Sequence, residues 1–285
     1  MNGTFDKLLR LLNLDITGTD VYRGESVDLG LGRVFGGQVI GQALAAASKT
    51  IESRTAHSLH AYFLKLGKTR IPIDYHVERI RDGQSFSVRR VTAFQAGEPI
   101  FIMSTSFHLA EEGFDHQAEM PKVEAPEDVT SEIEIVRALG ERIPEAMRAR
   151  FAYDRPIENR TIDPVLILQP EEKAPTQYAW LRAAGSVPPD PVLNQCLLAY
   201  VSDIRLVWTC LRPHAVYPFA PGMQMASLDH AMWFHRHFHF DDWLLYAMDS
   251  PSASHARGFN RGSIFSRDGR LIASVAQEGL IRYRP

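Results

Sequence analysis

Cysteine is scarce in this sequence of 285 residues, which contains only Cys196 and Cys210. Two cysteines cannot build the disulfide framework of a small secreted domain, and no Cys-x-x-Cys pair indicates a metal or redox centre. Both cysteines have apolar neighbours in the sequence, so we expect two reduced thiols in the core. Such cysteine usage is typical of a protein from a reducing compartment.

Long runs of one kind of residue are also missing. The net charge is only −3, and no run of lysine or arginine forms the basic stripe of a nucleic-acid binder. No stretch approaches the roughly 20 apolar residues of a membrane helix. Residues 1–7 lack the pattern of a secretory signal, and residues 281–285 do not form a peroxisomal address. We therefore expect a cytoplasmic protein that binds neither nucleic acid nor membrane.

The first half of the sequence predicts one buried helix followed by an antiparallel sheet. Residues 38–47 are small and apolar nearly all round, which is typical of a helix that is buried on every side. Two Gly-containing joints, at 81–84 and 95–98, are typical of hairpins. Such an order of elements favours an α+β domain whose sheet wraps around the helix. The predicted elements are a leader helix at 5–14 and strands at 56–64, 73–81, 85–95 and 99–109.

The second half repeats this plan after a proline-rich and charged stretch. A helix is predicted over residues 191–207 from the spacing of its apolar residues, and a hairpin turn at 267–270. An order of elements that repeats after roughly 170 residues indicates two fused copies of one domain. The predicted strands are 223–235, 242–249, 254–266 and 270–283. The predicted units are 1–109, a connector at 110–163 with helix on either side of Pro144 between residues 131 and 151, and 164–285.

Three polar side chains of the second half are expected at the edge of its core. Asp203 lies beside the apolar stripe of the predicted helix, and Ser227 lies in a largely apolar strand. Gln277 shares strand parity with Leu271 and Val275, so it should face the packed side. A polar group buried without a partner costs a few kcal/mol. These three side chains could therefore satisfy one another or hold a water molecule.

Longer motifs in both halves make the sequence similar to a known family. It resembles acyl-CoA thioesterase II, a bacterial double-hotdog enzyme with peroxisomal relatives, over essentially the whole chain and in the same order. The stretches that carry the resemblance in the first half are 34–39 (VFGGQV), 57–64 (HSLHAYFL) and 81–90 (RDGQSFSVRR). In the second half they are 229–236 (DHAMWFHR), 256–259 (ARGF) and 276–279 (AQEG).

The resemblance implies two fused hotdog units and hydrolysis of acyl-CoA to free acid and coenzyme A, without metal or bound cofactor. It also implies that Asp203, Ser227 and Gln277 bind the attacking water. The bacterial relatives carry threonine where this chain has Ser227, which keeps the hydroxyl but loses the methyl group that restrains its rotamer. A backbone N–H near a helix N-terminus would stabilise the oxyanion. Further assembly into a homo-oligomer, a dimer or tetramer, is also expected from the family.

Other interpretations of the same residues remain open. Ser227 as a nucleophile would need a histidine base and usually a Gly-x-Ser-x-Gly turn, and neither flanking glycine is present. The alternating His235, His237 and His239 could ligate a metal, although side chains in line along a strand diverge. Asp229 and His230 could form the acid/base pair of a hydratase. The glycines at 30–37 do not follow a strand, so they favour a lead-in to the helix over a dinucleotide site.

Two other functions therefore compete with thioester hydrolysis at this stage. A catalytically silent acyl-CoA-binding protein would keep the fold and release no thiol. An enoyl-CoA hydratase would consume the conjugated thioester without releasing thiol. Arginines such as Arg89, Arg90, Arg257 and Arg261 could meet the phosphates of coenzyme A in an acyl-CoA enzyme, but the sequence does not indicate which.

Overall fold

A computed structural model describes residues 3–30, 32–143, 145, 154–164 and 170–284. These residues form four α-helices, thirteen strands and three short 3-10 helices. The helices are α1 (Gly3–Leu12), α2 (Gly36–Ser48), α3 (Glu132–Leu139) and α4 (Pro191–Ser202). The first six strands are β1 (Asp15–Gly18), β2 (Val21–Gly24), β3 (Thr55–Phe63), β4 (Ile73–Asp82), β5 (Phe86–Gln95) and β6 (Glu98–His108). The others are β7 (Ile157–Ile162), β8 (Thr176–Ala183), β9 (Met223–Ser227), β10 (Asp229–Phe234), β11 (Leu244–Ser254), β12 (Arg257–Ser266) and β13 (Leu271–Tyr283). The 3-10 helices are Pro126–Asp128, Gly140–Arg142 and Leu206–His214.

The strands form one continuous sheet that passes from the first half of the chain to the second. Its order is β1-β2-β4-β5-β6-β3-β10-β13-β12-β11-β8-β7, and β9 pairs with β13 off this path. The two halves meet where β3 pairs antiparallel with β10, with Ala61 opposite His230. Each half therefore supplies an antiparallel sheet, and the α+β architecture predicted from the sequence is confirmed.

One helix lies against the sheet in each half, and the two helices pack against each other. In α2 every residue from Gly37 to Ala47 is buried, and in α4 every residue from Cys196 to Ser202 is buried. Burial on all sides explains why small and apolar residues dominate both segments. Among the described residues, no helix is long and apolar enough to cross a membrane.

The helices approach closely because α2 carries glycine where it meets α4. A Cβ atom on Gly37 would lie 2.2 Å from the backbone oxygen of Tyr200, and one on Gly41 would lie 3.0 Å from that of Cys196. Neither oxygen can move without shifting α4. The two glycines therefore set the distance between the units and bring the start of α2 to the end of α4.

Several predicted boundaries differ from those observed. The helix predicted to Val207 ends at Ser202, because Arg205 adopts a left-handed backbone (φ 62°) and a 3-10 helix follows. The strand predicted over 223–235 is divided at Leu228, whose N–H donates to Glu278 while its carbonyl accepts from Phe63. The four strands that were not predicted are β1, β2, β7 and β8.

The stretch predicted as a connector contains both loop and regular structure. Its helix α3 begins with a capping box between Ser131 and Glu134. The rest of the helix predicted around Pro144 falls largely on residues 144 and 146–153, which lie outside the described residues. The last part of the stretch is β7, which pairs with β8 at the edge of the sheet.

We predict that Gly37→Ala lowers the free energy of unfolding by at least about 2 kcal/mol, as expected for overpacking against an immobile atom. Because alanine stabilises a helix by ~1 kcal/mol relative to glycine, the predicted loss requires that the clash cost more than this gain. Urea unfolding followed by circular dichroism measures the change. Gly3→Ala in α1, where a Cβ meets nothing within 4 Å, is the matched control and should leave stability nearly unchanged. Equal stability of the two variants would contradict the packing argument.

Candidate active site

The structure brings together the three polar residues singled out from the sequence. Asp203 follows the last residue of α4, Ser227 ends β9, and Gln277 lies in the middle of β13. The Asp203 Oδ1 atom accepts a hydrogen bond from Gln277 Nε2 at 2.8 Å and one from Ser227 Oγ at 3.2 Å. The carboxylate is therefore the centre of the cluster, and the other two side chains point their donors at it.

A fourth group comes from the other half of the molecule. The backbone N–H of Gly37, in the first turn of α2, donates to Asp203 Oδ2 at 2.9 Å. The residue before this helix, Phe35, offers no side-chain cap of its own. Asp203 thus caps α2 from across the unit boundary, and the positive end of the helix dipole favours its negative charge. The site is complete only because the two units pack together.

Burial and hydrogen bonding shift the pKa of Asp203 in opposite directions. Removal from water raises the pKa of Asp203 from 3.8 to about 6, against the lowering effects of Gln277, Ser227, Gly37 and the positive charge of Arg33. Burial dominates because the carboxyl group is enclosed by the core. A carboxylate with such a pKa is ionised at neutral pH and is a stronger base than an exposed aspartate.

A cavity of about 600 Å³ opens beside the carboxylate, and both units contribute to its walls. Asp203 and Ser227 line it, whereas Gln277 is fully buried and is not among the described lining residues. Most of the wall is apolar and includes Phe35, Phe63, Phe101, Phe219, Met223 and Met225. The cationic lining residues are Arg33, Lys65, Arg155 and Arg205. The cavity therefore suits an apolar chain next to an anionic group.

Comparisons with known proteins identify the family of the chain. A family model described as acyl-CoA thioesterase matches residues 146–280, and one described as acyl-CoA thioesterase N-terminal domain matches residues 26–108. The chain is 43% identical to acyl-CoA thioesterase 2 of Haemophilus influenzae over 284 residues, which are 99% of each protein. The chain belongs to the acyl-CoA thioesterase family. The resemblance inferred from the sequence and the expected enzyme class are confirmed.

Further relatives of this thioesterase agree on the fold. The chain is 39% identical to human acyl-coenzyme A thioesterase 8, and the match covers 96% of the chain and 88% of the human protein. A crystal structure of an acyl-CoA thioesterase II from Mycobacterium marinum is similar with a TM-score of 0.79 at 38% identity, over 97% and 98% of the two chains. A hot dog fold protein from Alicyclobacillus acidocaldarius gives a TM-score of 0.77 at 20% identity, over 98% and 99%. The predicted pair of hotdog units is confirmed.

The other constellations weighed from the sequence are separated in this thioesterase. Asp229 accepts a hydrogen bond from the N–H of Glu278 at 2.6 Å, whereas His230, the next residue, is fully buried beside Ser202. Neighbouring residues of a strand point to opposite faces, so these two do not form an acid/base pair. His235 contacts Ser274 instead of a metal site. Among the described residues, no group of three or more His, Cys, Asp or Glu side chains could hold a metal ion.

Two contributions to the site were not recognised from the sequence. Gly37 was interpreted only as part of the lead-in to α2, although the Gly36-Gly37 doublet before a buried helix is a signal of close backbone approach. His230 was considered only together with Asp229. No local pattern could have linked either residue to Asp203, because the contacts cross 166 residues of sequence in the first case and pass through Gln277 in the second.

We predict that Ser227→Ala and Gln277→Met each raise the pKa of Asp203 above about 6. Each substitution removes a hydrogen bond that favours the ionised carboxylate and leaves the burial in place. Titration of the side-chain carboxyl groups by carbon-13 NMR measures the pKa, and Asp203→Asn identifies the signal. Ser274→Ala is the control: this half-buried serine of β13 contacts His235, and its removal should leave the pKa of Asp203 unchanged. A lower pKa of Asp203 in both variants would contradict the conclusion that these two hydrogen bonds lower it.

Proposed function

We propose that this acyl-CoA thioesterase hydrolyses its substrate by direct attack of a water molecule activated by Asp203. The observation that carries the proposal is a buried carboxylate with a pKa of about 6 at the wall of an apolar cavity. A base is most effective when its pKa lies near the working pH, because it is then both ionised and strongly basic. Asp203 meets both conditions at neutral pH.

Each surrounding group has a separate task in this mechanism. Ser227 shares the cavity wall with Asp203, so its hydroxyl can hold the same water in line with the thioester carbonyl. The sequence had suggested the same contact for Gln277, but its complete burial favours a role behind the carboxylate, which it holds through Nε2. Gly36, the first residue of α2, also lines the cavity. Its N–H is the donor that we assign to the developing oxyanion.

A nucleophilic role for Ser227 is disfavoured by its partners. Its hydroxyl donates to Asp203, and the nearest buried histidine, His230, contacts Ser202 instead. Burial lowers the pKa of His230 to about 4, but a histidine base must be in reach of the hydroxyl it activates. Hydrolysis in one step, without an acyl-enzyme, therefore fits the arrangement better.

The cavity also supports an acyl-CoA as substrate. Aromatic and methionine side chains provide the apolar wall for the acyl chain, and Arg33, Lys65 and Arg155 provide positive charge for the phosphates of coenzyme A. The proposed reaction needs no cofactor and no metal. We further propose a cytoplasmic enzyme of lipid metabolism that assembles as a homo-oligomer, in agreement with the cysteine usage and the family resemblance.

We predict that Asp203→Asn lowers kcat for decanoyl- and palmitoyl-CoA by at least about 100-fold, the scale of a lost general base. Release of free coenzyme A, followed with a thiol reagent, measures the rate. Asp229→Asn is the matched control, because the amide oxygen keeps the hydrogen bond to Glu278, and it should retain near wild-type activity. Full activity of Asp203→Asn would refute the mechanism. If the wild-type protein released no free coenzyme A from acyl-CoA of any chain length, the acyl-CoA-binding alternative would be favoured.

We predict that kcat/KM of the wild-type enzyme falls tenfold per pH unit below about pH 6 and is flat above it. The sign follows from Asp203, which must lose its proton to act as a base and whose pKa lies at about 6. Decanoyl-pantetheine is the suitable substrate because it lacks the coenzyme A phosphate, whose second pKa of about 6 would titrate in the same range as Asp203. An acid limb near pH 4, typical of an exposed aspartate, would contradict the prediction.

A further inference from the structure

The catalytic arrangement depends on which way the Gln277 amide points. Its Nε2 atom donates to Asp203 at 2.8 Å, so a rotation of the amide by 180° would place its oxygen against the carboxylate. The opposite end, Oε1, is buried and has no hydrogen-bond partner within normal distance. A carbonyl oxygen left unpaired in the core destabilises the fold, because it loses the hydrogen bonds that it makes with water. Some group should therefore meet this oxygen.

His230 is the side chain on that side of Gln277. It lies in β10, next to β13, and its ring is fully buried. Its Nδ1 atom likewise has no hydrogen-bond partner within normal distance. The contact between the two side chains works against the lowering of the histidine pKa by burial, as expected when the amide oxygen faces the ring N–H. The two unpaired atoms are a complementary donor and acceptor when the ring hydrogen of His230 is on Nδ1.

The other ring nitrogen of His230 contacts a hydroxyl group, which can donate to it or accept from it. His230 Nε2 lies 2.9 Å from the Ser202 hydroxyl oxygen, and that hydroxyl is also 2.8 Å from the carbonyl of Ala199. Burial keeps the imidazole neutral, with its pKa near 4, so the ring carries one hydrogen. If this hydrogen is on Nδ1, then Nε2 accepts the single Ser202 hydroxyl hydrogen, which must turn to it from the Ala199 carbonyl. The direction of one hydrogen bond then fixes the next.

We propose that His230 is a positioning residue for hydrolysis: its Nδ1–H donates to Gln277 Oε1 and holds the amide N–H toward Asp203. The chain of contacts runs from Ser202 through His230 and Gln277 to the carboxylate. His230 is fully buried and is not among the described residues that line the cavity, so it acts through the orientation of Gln277. This proposal rests on the proposed role of Asp203 as the base.

The first unit shows that the fold itself does not require a histidine here. Thr105 and Gln277 are each the eighth residue after the positive-φ glycine of the preceding hairpin, Gly97 or Gly269. Leu59 lies opposite Thr105, and the pairing of Ala231 with Ala276 places His230 opposite Gln277. Leu59 is as fully buried as His230. A leucine is therefore accommodated in the equivalent position, which favours a role in the site over a role in packing.

The test compares His230→Leu, which copies the first unit, with His230→Asn, whose side-chain N–H₂ lies near the position of Nδ1. We expect His230→Leu to lower kcat about tenfold or more, change KM by less than about twofold and move the acid limb to higher pH. His230→Asn should recover most of kcat. His235→Leu, at an exposed position just beyond the same strand, is the control and should behave as wild type. Wild-type kcat and acid limb in a folded His230→Leu would overturn the proposal.

A double-substitution cycle separates positioning from packing. In a Gln277→Met background, His230→Leu should have little further effect on kcat, because the amide that His230 holds is absent. An undiminished effect there, or a loss that His230→Asn does not restore, would assign His230 to packing and overturn the proposal. The kcat of Asp203→Asn is measured in the same experiment to test the base assignment separately. If that variant is active, the base assignment fails; if it is inactive and His230→Leu is normal, only the positioning role fails.

The tautomer gives an independent readout that does not use activity. Nitrogen-15 NMR of histidine-labelled protein at neutral pH should show His230 protonated at Nδ1 and unprotonated at Nε2, with the signals identified from His230→Asn. The opposite tautomer would place a lone pair against the amide oxygen and overturn the proposal.

Discussion

The contact between the start of α2 and the end of α4 is the constraint on which the site depends. Gly37 allows this contact because its missing Cβ would lie 2.2 Å from the carbonyl of Tyr200. The same residue then supplies the N–H that binds Asp203. One position in the sequence therefore sets both the packing of the two units and the electrostatics of the carboxylate. A larger side chain there could not preserve either.

The strength that we propose for Asp203 as a base follows from two opposing effects on its pKa that do not cancel. Three hydrogen bonds and a nearby arginine favour the ionised Asp203, yet burial still raises its pKa to about 6. More donors would lower the pKa of Asp203 and weaken the base, whereas fewer would raise the pKa and leave a smaller fraction of the carboxyl group ionised. Gln277 and Ser227 are thus as important for the degree of ionisation as for geometry. This balance also explains why a fully buried amide can matter to a reaction that takes place in the cavity.

The sequence predicted those parts of the fold that depend on local signals. The apolar run of α2 and the Gly-containing hairpins are visible within about ten residues of chain, and so is the placement of Asp203 at the rim of the core. The strands β7 and β8 pair with each other, but they were missed because the sequence between them, residues 163–175, contains no glycine and so offers no Gly-containing hairpin signal. The contacts of Gly37 and His230 with the site depend on the packing of distant elements. No spacing in the sequence encodes that packing.

The two units of the duplicated fold differ at the positions that surround the proposed base. In the first unit Thr105 takes the place of Gln277, and its cross-strand neighbour Arg89 takes the place of Asn260. The Arg89 side chain is almost fully buried and donates to Thr50, just past the end of α2, at 2.8 Å. A cation therefore fills the region where the second unit presents a carboxylate. A guanidinium group cannot accept a proton from water, so in the mechanism that we propose the first unit contributes the N-terminus of α2 and not the base.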